Sequence, residues 1–218
     1  MREVPRRELL TGAAMTGAAV AVGSALPASA ATGPAGPVNP HLAPFGPVAI
    51  GTADARYDSL VTAHNQRFRG NPATIHVVGA TEQVRQVVGE AVAAGGRIAV
   101  RSGGHCLENF TGSPEVDTLV DLSQLSDVHY DVNRRAFAVG VGATLGKVYG
   151  TLFRGWGVTL PGGTCPAVGV GGHIAGGGYG LLSRRYGMAA DHLYAVEAVL
   201  VDGSSSSAAG TTYPTASG

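Results

Sequence analysis

Two nucleophilic side chains sit in glycine-bracketed turns of this chain. His105 ends the run Arg101-Ser102-Gly103-Gly104-His105, and Cys165 lies in Pro161-Gly162-Gly163-Thr164-Cys165-Pro166. An imidazole nitrogen and a thiolate can each form a covalent bond to an electrophile. Each residue alone also has a plainer explanation. A loop histidine is commonly a surface or packed residue, and a cysteine is commonly a small buried hydrophobe. Cys106 and Cys165 are the two cysteines of the chain, so in an exported protein a disulfide between them is a further reading. No CxxC, HExxH or G-x-S-x-G pattern occurs, which leaves a zinc site or a serine-hydrolase elbow without support and no metal site to name.

Glycine is the compositional outlier, with 34 residues among 218, roughly twice the usual share of about 7%. Much of it is clustered. The stretch Gly169-Val170-Gly171-Gly172-His173-Ile174-Ala175-Gly176-Gly177-Gly178-Tyr179-Gly180 has too little side chain to build a core by itself. Exposed amides without Cβ crowding suit a diphosphate. A tightly turned surface loop would carry the same glycines. No window fits G-x-G-x-x-G/A between a strand and a helix, so a nucleotide site here is not of the Rossmann kind.

The elements that must hold these turns are legible around them. Thr74 to Val78 is β-rich, and Thr81 opens a helix with Val84, Val87, Val88 and Ala91 on one face. Gly95-Gly96 ends that helix, and Ile98 to Val100 is the next strand, delivering Arg101 to His105 at its end. Ligands commonly bind at strand ends in such βαβ units. Thr118 to Leu122 reads as a strand. Val128 to Tyr130 and Ala136 to Val141 read as a hairpin turning at Asn133-Arg134. Thr144 caps a helix running to Phe153. Val158 to Leu160 is expected as a short strand before the Cys165 turn, the glycine stretch as a loop, and Leu193 to Val201 as a last strand. The fold class is α+β.

The first thirty residues carry an address. Arg6-Arg7 precedes a weakly apolar run from Thr11 to Leu26, and Ala28-Ser29-Ala30 is a small-x-small cleavage site. This is the layout of a twin-arginine export signal, cleaved after Ala30. The competing reading, a membrane helix, needs about 20 strongly apolar residues. The expected location is therefore extracellular or at the cell wall, with no stable membrane span after signal removal. Ala31 to Pro47 holds five prolines, so residues 31–56 are read as a proline-rich N-terminal segment. The formal net charge is zero and no basic patch invites nucleic acid.

Arg101 to His105, then Val120-Asp121-Leu122-Ser123, then Pro161 to Pro166, then Gly169 to Gly180 resemble in order and spacing the berberine bridge enzyme group. That group belongs to the FAD-linked oxidases of the vanillyl-alcohol oxidase and p-cresol methylhydroxylase (PCMH) type. His105-Cys106, the tract from Lys147 to Val158 and the twin arginine are similar to the actinobacterial, aclacinomycin oxidoreductase-type members. The resemblance runs from about Tyr57 to Asp202.

The resemblance implies a PCMH-type FAD-binding domain over residues 57–202, incomplete, built of two small α+β subdomains with the FAD between them. It implies FAD held bicovalently, with a ring nitrogen of His105 on the flavin 8α-methyl carbon and the sulfur of Cys165 on flavin C6. It assigns Ser102, Gly103 and Gly104 to the diphosphate cradle, with Arg101 a further cofactor-binding residue. It assigns Gly169, Gly171, Gly172, His173, Gly176, Gly177 and Gly180 to the segment lining the ADP and the isoalloxazine. The implied activity is oxidation of a secondary alcohol on a sugar or glycosylated natural product, with O2 as partner and H2O2 as product. The catalytic groups of the family are expected in a later, C-terminal part. Residues 203–218 read as a low-complexity tail, expected from a shifted frame or a truncated gene. The alternative is a catalytically inactive flavin-binding remnant.

Overall fold

The computed structural model describes residues 45–209. Residues 1–30, read above as an export signal, and residues 210–218 lie outside them. A four-stranded sheet carries the first half of the chain. Its strands are β1 (Val48–Gly51), β2 (Thr74–Val77), β3 (Ile98–Arg101) and β4 (Thr118–Asp121), in the order β1-β2-β4-β3. β1 is antiparallel to β2, and β2, β4 and β3 are parallel, with Ile75 opposite Leu119 and Val100 opposite Val120.

Alternation along β2 and β4 feeds two cores. Ile75, Val77 and Leu119 join Ile50 and the helix α1 (Tyr57–Val61) on one side. Val120 joins Val78 and Val87 on the other, beneath the helix α2 (Thr81–Ala93). Ile75 and Leu119 are almost wholly removed from water, and burial of such side chains stabilises by about 1.5–3 kcal/mol each. Gly95, at φ +70°, turns the chain out of α2 as the sequence indicates.

The second body packs on a hairpin, β5 (Val128–Asp131) and β6 (Ala136–Val139). Asp131 closes its turn by accepting from the backbone N–H groups of Asn133 and Arg134. The helix α3 (Leu145–Trp156) is capped by the Thr144 hydroxyl, which accepts from the Lys147 N–H at 3.4 Å. Leu145, Val148 and Leu152 bury one stripe of α3 against Val128, Ala143 and Val170. α3 runs three residues beyond the expected end at Phe153, to Trp156, and Gly157 in the left-handed region stops it.

Three expectations are corrected. Val158 to Leu160 forms no strand; Val158 and Leu160 instead pack as irregular chain against the second core. The glycine stretch is not all loop: Val170–Ala175 is a short helix, α4, because Val170 and Ile174 find apolar partners in that core. Further on lie α5 (Ser183–Tyr186), a 3₁₀ turn at Ala189–His192 and β7 (Ala195–Val199). Within the stretch read as low-complexity coil, Ser205–Ala209 is a strand, β8, paired antiparallel to β7. This hairpin leans on α2, where the Arg85 Nε donates to the Gly203 carbonyl at 2.7 Å. β1 lies inside the segment read as proline-rich and extends the sheet. Among the described residues no helix is long and apolar enough to cross a membrane.

Candidate functional site

β3 ends at Arg101 and hands the chain to the turn that carries His105. Leu122 N–H donates to the Arg101 carbonyl at 2.8 Å, which ties the turn to the end of β4. The Arg101 Nε lies 3.6 Å from the Oδ2 of Asp121, which is buried at the end of β4. The Arg101 Nη1 donates to the Leu60 carbonyl, while its Nε finds no hydrogen-bond partner. The guanidinium packs against Gly104. The Ser102 hydroxyl donates to the Val141 carbonyl at 2.6 Å, across to the second body. Among the described residues, the backbone N–H groups of Ser102, Gly103, Gly104 and His105 donate to nothing. Four unpaired donors in one turn form a concavity suited to an anion.

His105 is half-buried. Its ring stacks on that of His64, with centroids 4.2 Å apart and planes 16° from parallel. Burial, and secondarily the neighbouring His64, hold its pKa below the ordinary imidazole value. Both effects favour the neutral ring, whose nitrogen lone pair can form a bond.

The second turn is braced from below. The Tyr149 hydroxyl on α3 donates to the Gly163 carbonyl at 2.6 Å, and the Gly163 N–H donates to His173 Nε2 at 2.9 Å. Burial raises the Tyr149 pKa, so the phenol stays a donor. Gly146 N–H donates to the Pro166 carbonyl and Leu145 N–H to the Val168 carbonyl, both at 2.9 Å, fastening the chain after Cys165 onto the start of α3. Cys165 is exposed, Cys106 is half-buried, and neither forms a disulfide. The Sγ of Cys106 accepts from the Phe110 N–H at 3.4 Å.

The two turns meet backbone to backbone. A Cβ built on Gly103 would lie 2.8 Å from both the Ala167 carbonyl oxygen and Gly169 Cα, and closer still to Gly169 N; one on Gly169 would strike Ser102 Oγ and Gly103 N. Real Cβ atoms do not come so near, so only two glycines permit this approach. Beside the contact opens a cleft of about 360 Å³ between the two bodies, lined by Arg101, Ser102, Gly103, Asp121, Lys147 and Ala167.

Of the residues singled out in the sequence, Arg101, Ser102 and Gly103 line this cleft and Gly169 packs on Gly103 beside it; Gly104, His105 and Cys165 are not among its lining residues. The amides of the glycine stretch are largely spoken for. Val170 N–H donates to the Ala143 carbonyl at 2.8 Å and Gly171 N–H to the Val141 carbonyl at 3.0 Å. Gly176 and Gly177 N–H groups close the end of α4. A Cβ on Gly172 would meet nothing within 4 Å, while one on Gly180 would strike the Gly162 carbonyl, and the Gly180 N–H donates to the Ser183 hydroxyl oxygen at 2.9 Å. His64, Tyr149 and the Val141 carbonyl were missed in the sequence. They act through contacts with residues distant in the chain, which carry no local pattern.

A family model described as "FAD binding domain" matches residues 72–207. The chain belongs to that family. Its relatives place it among the berberine bridge enzyme-like flavoproteins. It is 51% identical over 209 residues to the aclacinomycin-N/aclacinomycin-A oxidase of Streptomyces galilaeus, covering 94% of this chain and 38% of that protein. It is 41% identical over 162 residues to berberine bridge enzyme-like D-2 of Nicotiana tabacum, covering 69% of this chain and 28% of that one. The crystal structure of a glycopeptide hexose oxidase complexed with teicoplanin superposes with a TM-score of 0.73 at 48% identity, over 79% of this chain and 35% of its own. The chain thus spans between about a quarter and two fifths of the length of these relatives. The residues present fit FAD: the turn offers four unpaired N–H donors, the glycine pair allows close approach, and the cleft separates the two bodies.

Proposed function

We propose that this chain supplies the FAD-binding part of an oxidase whose flavin is joined at both His105 and Cys165. The enzyme acts on a secondary alcohol of a sugar carried by a natural product, with dioxygen as acceptor and hydrogen peroxide as product. Bound FAD supplies hydride acceptance and the reduction of dioxygen. The chain's own residues hold and orient it. Ser102 to His105 present backbone donors to the diphosphate, Lys147 adds a positive charge to the same cleft, and Asp121 steadies Arg101 behind the turn.

The observation that carries the reading is the Gly103–Gly169 contact, which ties the His105 turn and the segment just after Cys165 to one cleft. Burial favours the neutral ring of His105, and Cys165 has an exposed thiol free of any disulfide, which suits bond formation by each. The substrate class is supported by two relatives, one named for aclacinomycin and one a glycopeptide hexose oxidase bound to teicoplanin. The test loads the chain with FAD in air and follows peroxide. Each tether formed is a two-electron oxidation, so one peroxide should appear per bond, and the colour should stay with acid-precipitated protein. Colour lost on precipitation, with no peroxide, would refute the tethers. Oxygen uptake with aclacinomycin or teicoplanin, compared with their aglycones, tests the substrate class.

Export through the twin-arginine route belongs to the same proposal. Arg6→Lys with Arg7→Lys should abolish secretion without lowering expression; normal processing of the double variant after Ala30 would contradict it.

A further inference from the structure

We propose that His64 is a positioning residue for the bond between His105 and the flavin, acting through the stack of the two imidazole rings. This rests on the tethering reading above. The segment after α1 grips the His105 turn in three places. The Leu60 carbonyl accepts from Arg101, the His64 N–H donates to the Gly104 carbonyl at 2.9 Å, and the His64 ring lies face-on to His105 at 4.2 Å. A bridge between Thr62 and Arg69 closes the loop that presents His64.

A histidine ring otherwise turns broadly about its second side-chain torsion, and a reacting nitrogen must be held near its attack geometry for bond formation to be fast. A face-on neighbour removes that freedom. Because the contact is through the ring faces, it engages neither edge nitrogen of His105. One nitrogen is left for the flavin carbon and the other for its proton. A second ring so close also disfavours charging His105.

The bond it serves balances as follows. A C–H bond of the 8α-methyl group is replaced by a C–N bond to His105. One proton leaves the methyl carbon and one leaves the imidazole. The two electrons pass through the flavin ring to dioxygen, which with the two protons becomes hydrogen peroxide.

The test uses the full chain carrying Cys165→Ala, so that His105 is the one tether under observation. His64→Ala and His64→Phe are added separately. FAD affinity is read by fluorescence quenching before bonding, attachment to His105 by timed acid quench and peptide mass, and folding by thermal melting. His64 is exposed, so both variants should fold. We expect His64→Ala to slow attachment tenfold or more with FAD affinity within threefold, and His64→Phe, which keeps a stacking ring, to restore the rate to within threefold. An unchanged rate in His64→Ala overturns the inference, and so do equally slow Ala and Phe variants. Absence of any His105 adduct with His64 intact refutes the tethering reading itself, and the inference with it.

Discussion

Gly103→Ala probes the point where the two turns touch. The added methyl would sit 2.8 Å from the Ala167 carbonyl oxygen and from Gly169 Cα, and nearer still to Gly169 N. All three atoms are backbone, so no flexible side chain can swing away. An ordinary contact begins near 3.4 Å, and the turns must therefore part by more than half an ångström. Overpacking of this kind costs about 1–3 kcal/mol. For a chain of this size that lowers the melting temperature by roughly 2–4 °C per kcal/mol. The larger effect falls on bonding, because a misplacement of about 1 Å can cost on the order of 100-fold in rate. Attachment at His105 and Cys165 should slow by about 10- to 100-fold in Gly103→Ala, followed by acid quench and mass. Gly150→Ala in α3 is the control. A Cβ there meets nothing within 4 Å, and the change should stabilise by about 0.4–1 kcal/mol with attachment unaltered. Attachment in Gly103→Ala at the rate of the unsubstituted protein would refute the argument that this contact sets the site.

Two further outcomes follow from the same geometry. Asp121→Ala leaves the mostly buried Arg101 guanidinium without its carboxylate and frees the Ser123 N–H that Asp121 accepts at 2.9 Å. Breaking such pairs costs about 3–5 kcal/mol when fully buried; with Arg101 partly exposed, a loss of about 2–3 kcal/mol is expected in urea unfolding, and a loss within 0.5 kcal/mol, the usual ~0.5 kcal/mol of a neutral surface change, would contradict the role. His105 and His76 both have pKa values lowered by burial. Each favours the neutral ring in the folded state, so stability is fully present above the unfolded value of about 6.5 and declines as pH falls from there through the folded values. Bonding at His105 should persist below pH ~6.5 and fall off only as the folded ring protonates; a fall already centred above that pH would show that the ring is not held neutral.

The parts of the fold that the sequence revealed are those where side-chain period and core coincide. Thr81–Ala93 has its valines on one face, β2 and β4 alternate between two cores, and Thr144 stands at the start of an apolar stripe. What stayed hidden depends on distant partners. α4 forms among glycines because Val170 and Ile174 are received by a core built elsewhere. β8 is written in serines, yet it pairs with β7 through backbone bonds that ask nothing of side-chain polarity. At the site, His105 and Cys165 were visible from their glycine-bracketed turns. The bracing of those turns by His64, Tyr149 and Val141 was not, since each reaches across from another element. The glycine stretch was read as a source of free amides. Several of its amides build α4 and dock it to Val141 and Ala143, and the backbone N–H groups of Ser102 to His105 in the other turn add further donors.

The central claim is that His105 and Cys165, and not Cys106, take the flavin. Cys106 neighbours His105 in sequence, but its Sγ accepts from the Phe110 N–H, whereas Cys165 is exposed and its turn is tied to the cleft. The most direct measurement is peptide mass mapping of flavin adducts after FAD loading, acid denaturation and digestion. The account predicts flavin mass on the His105 and Cys165 peptides, retention through His105 alone in Cys165→Ala, and release only in His105→Ala with Cys165→Ala. Flavin on the Cys106 sulfur, or no adduct on Cys165 in the loaded protein, would contradict it.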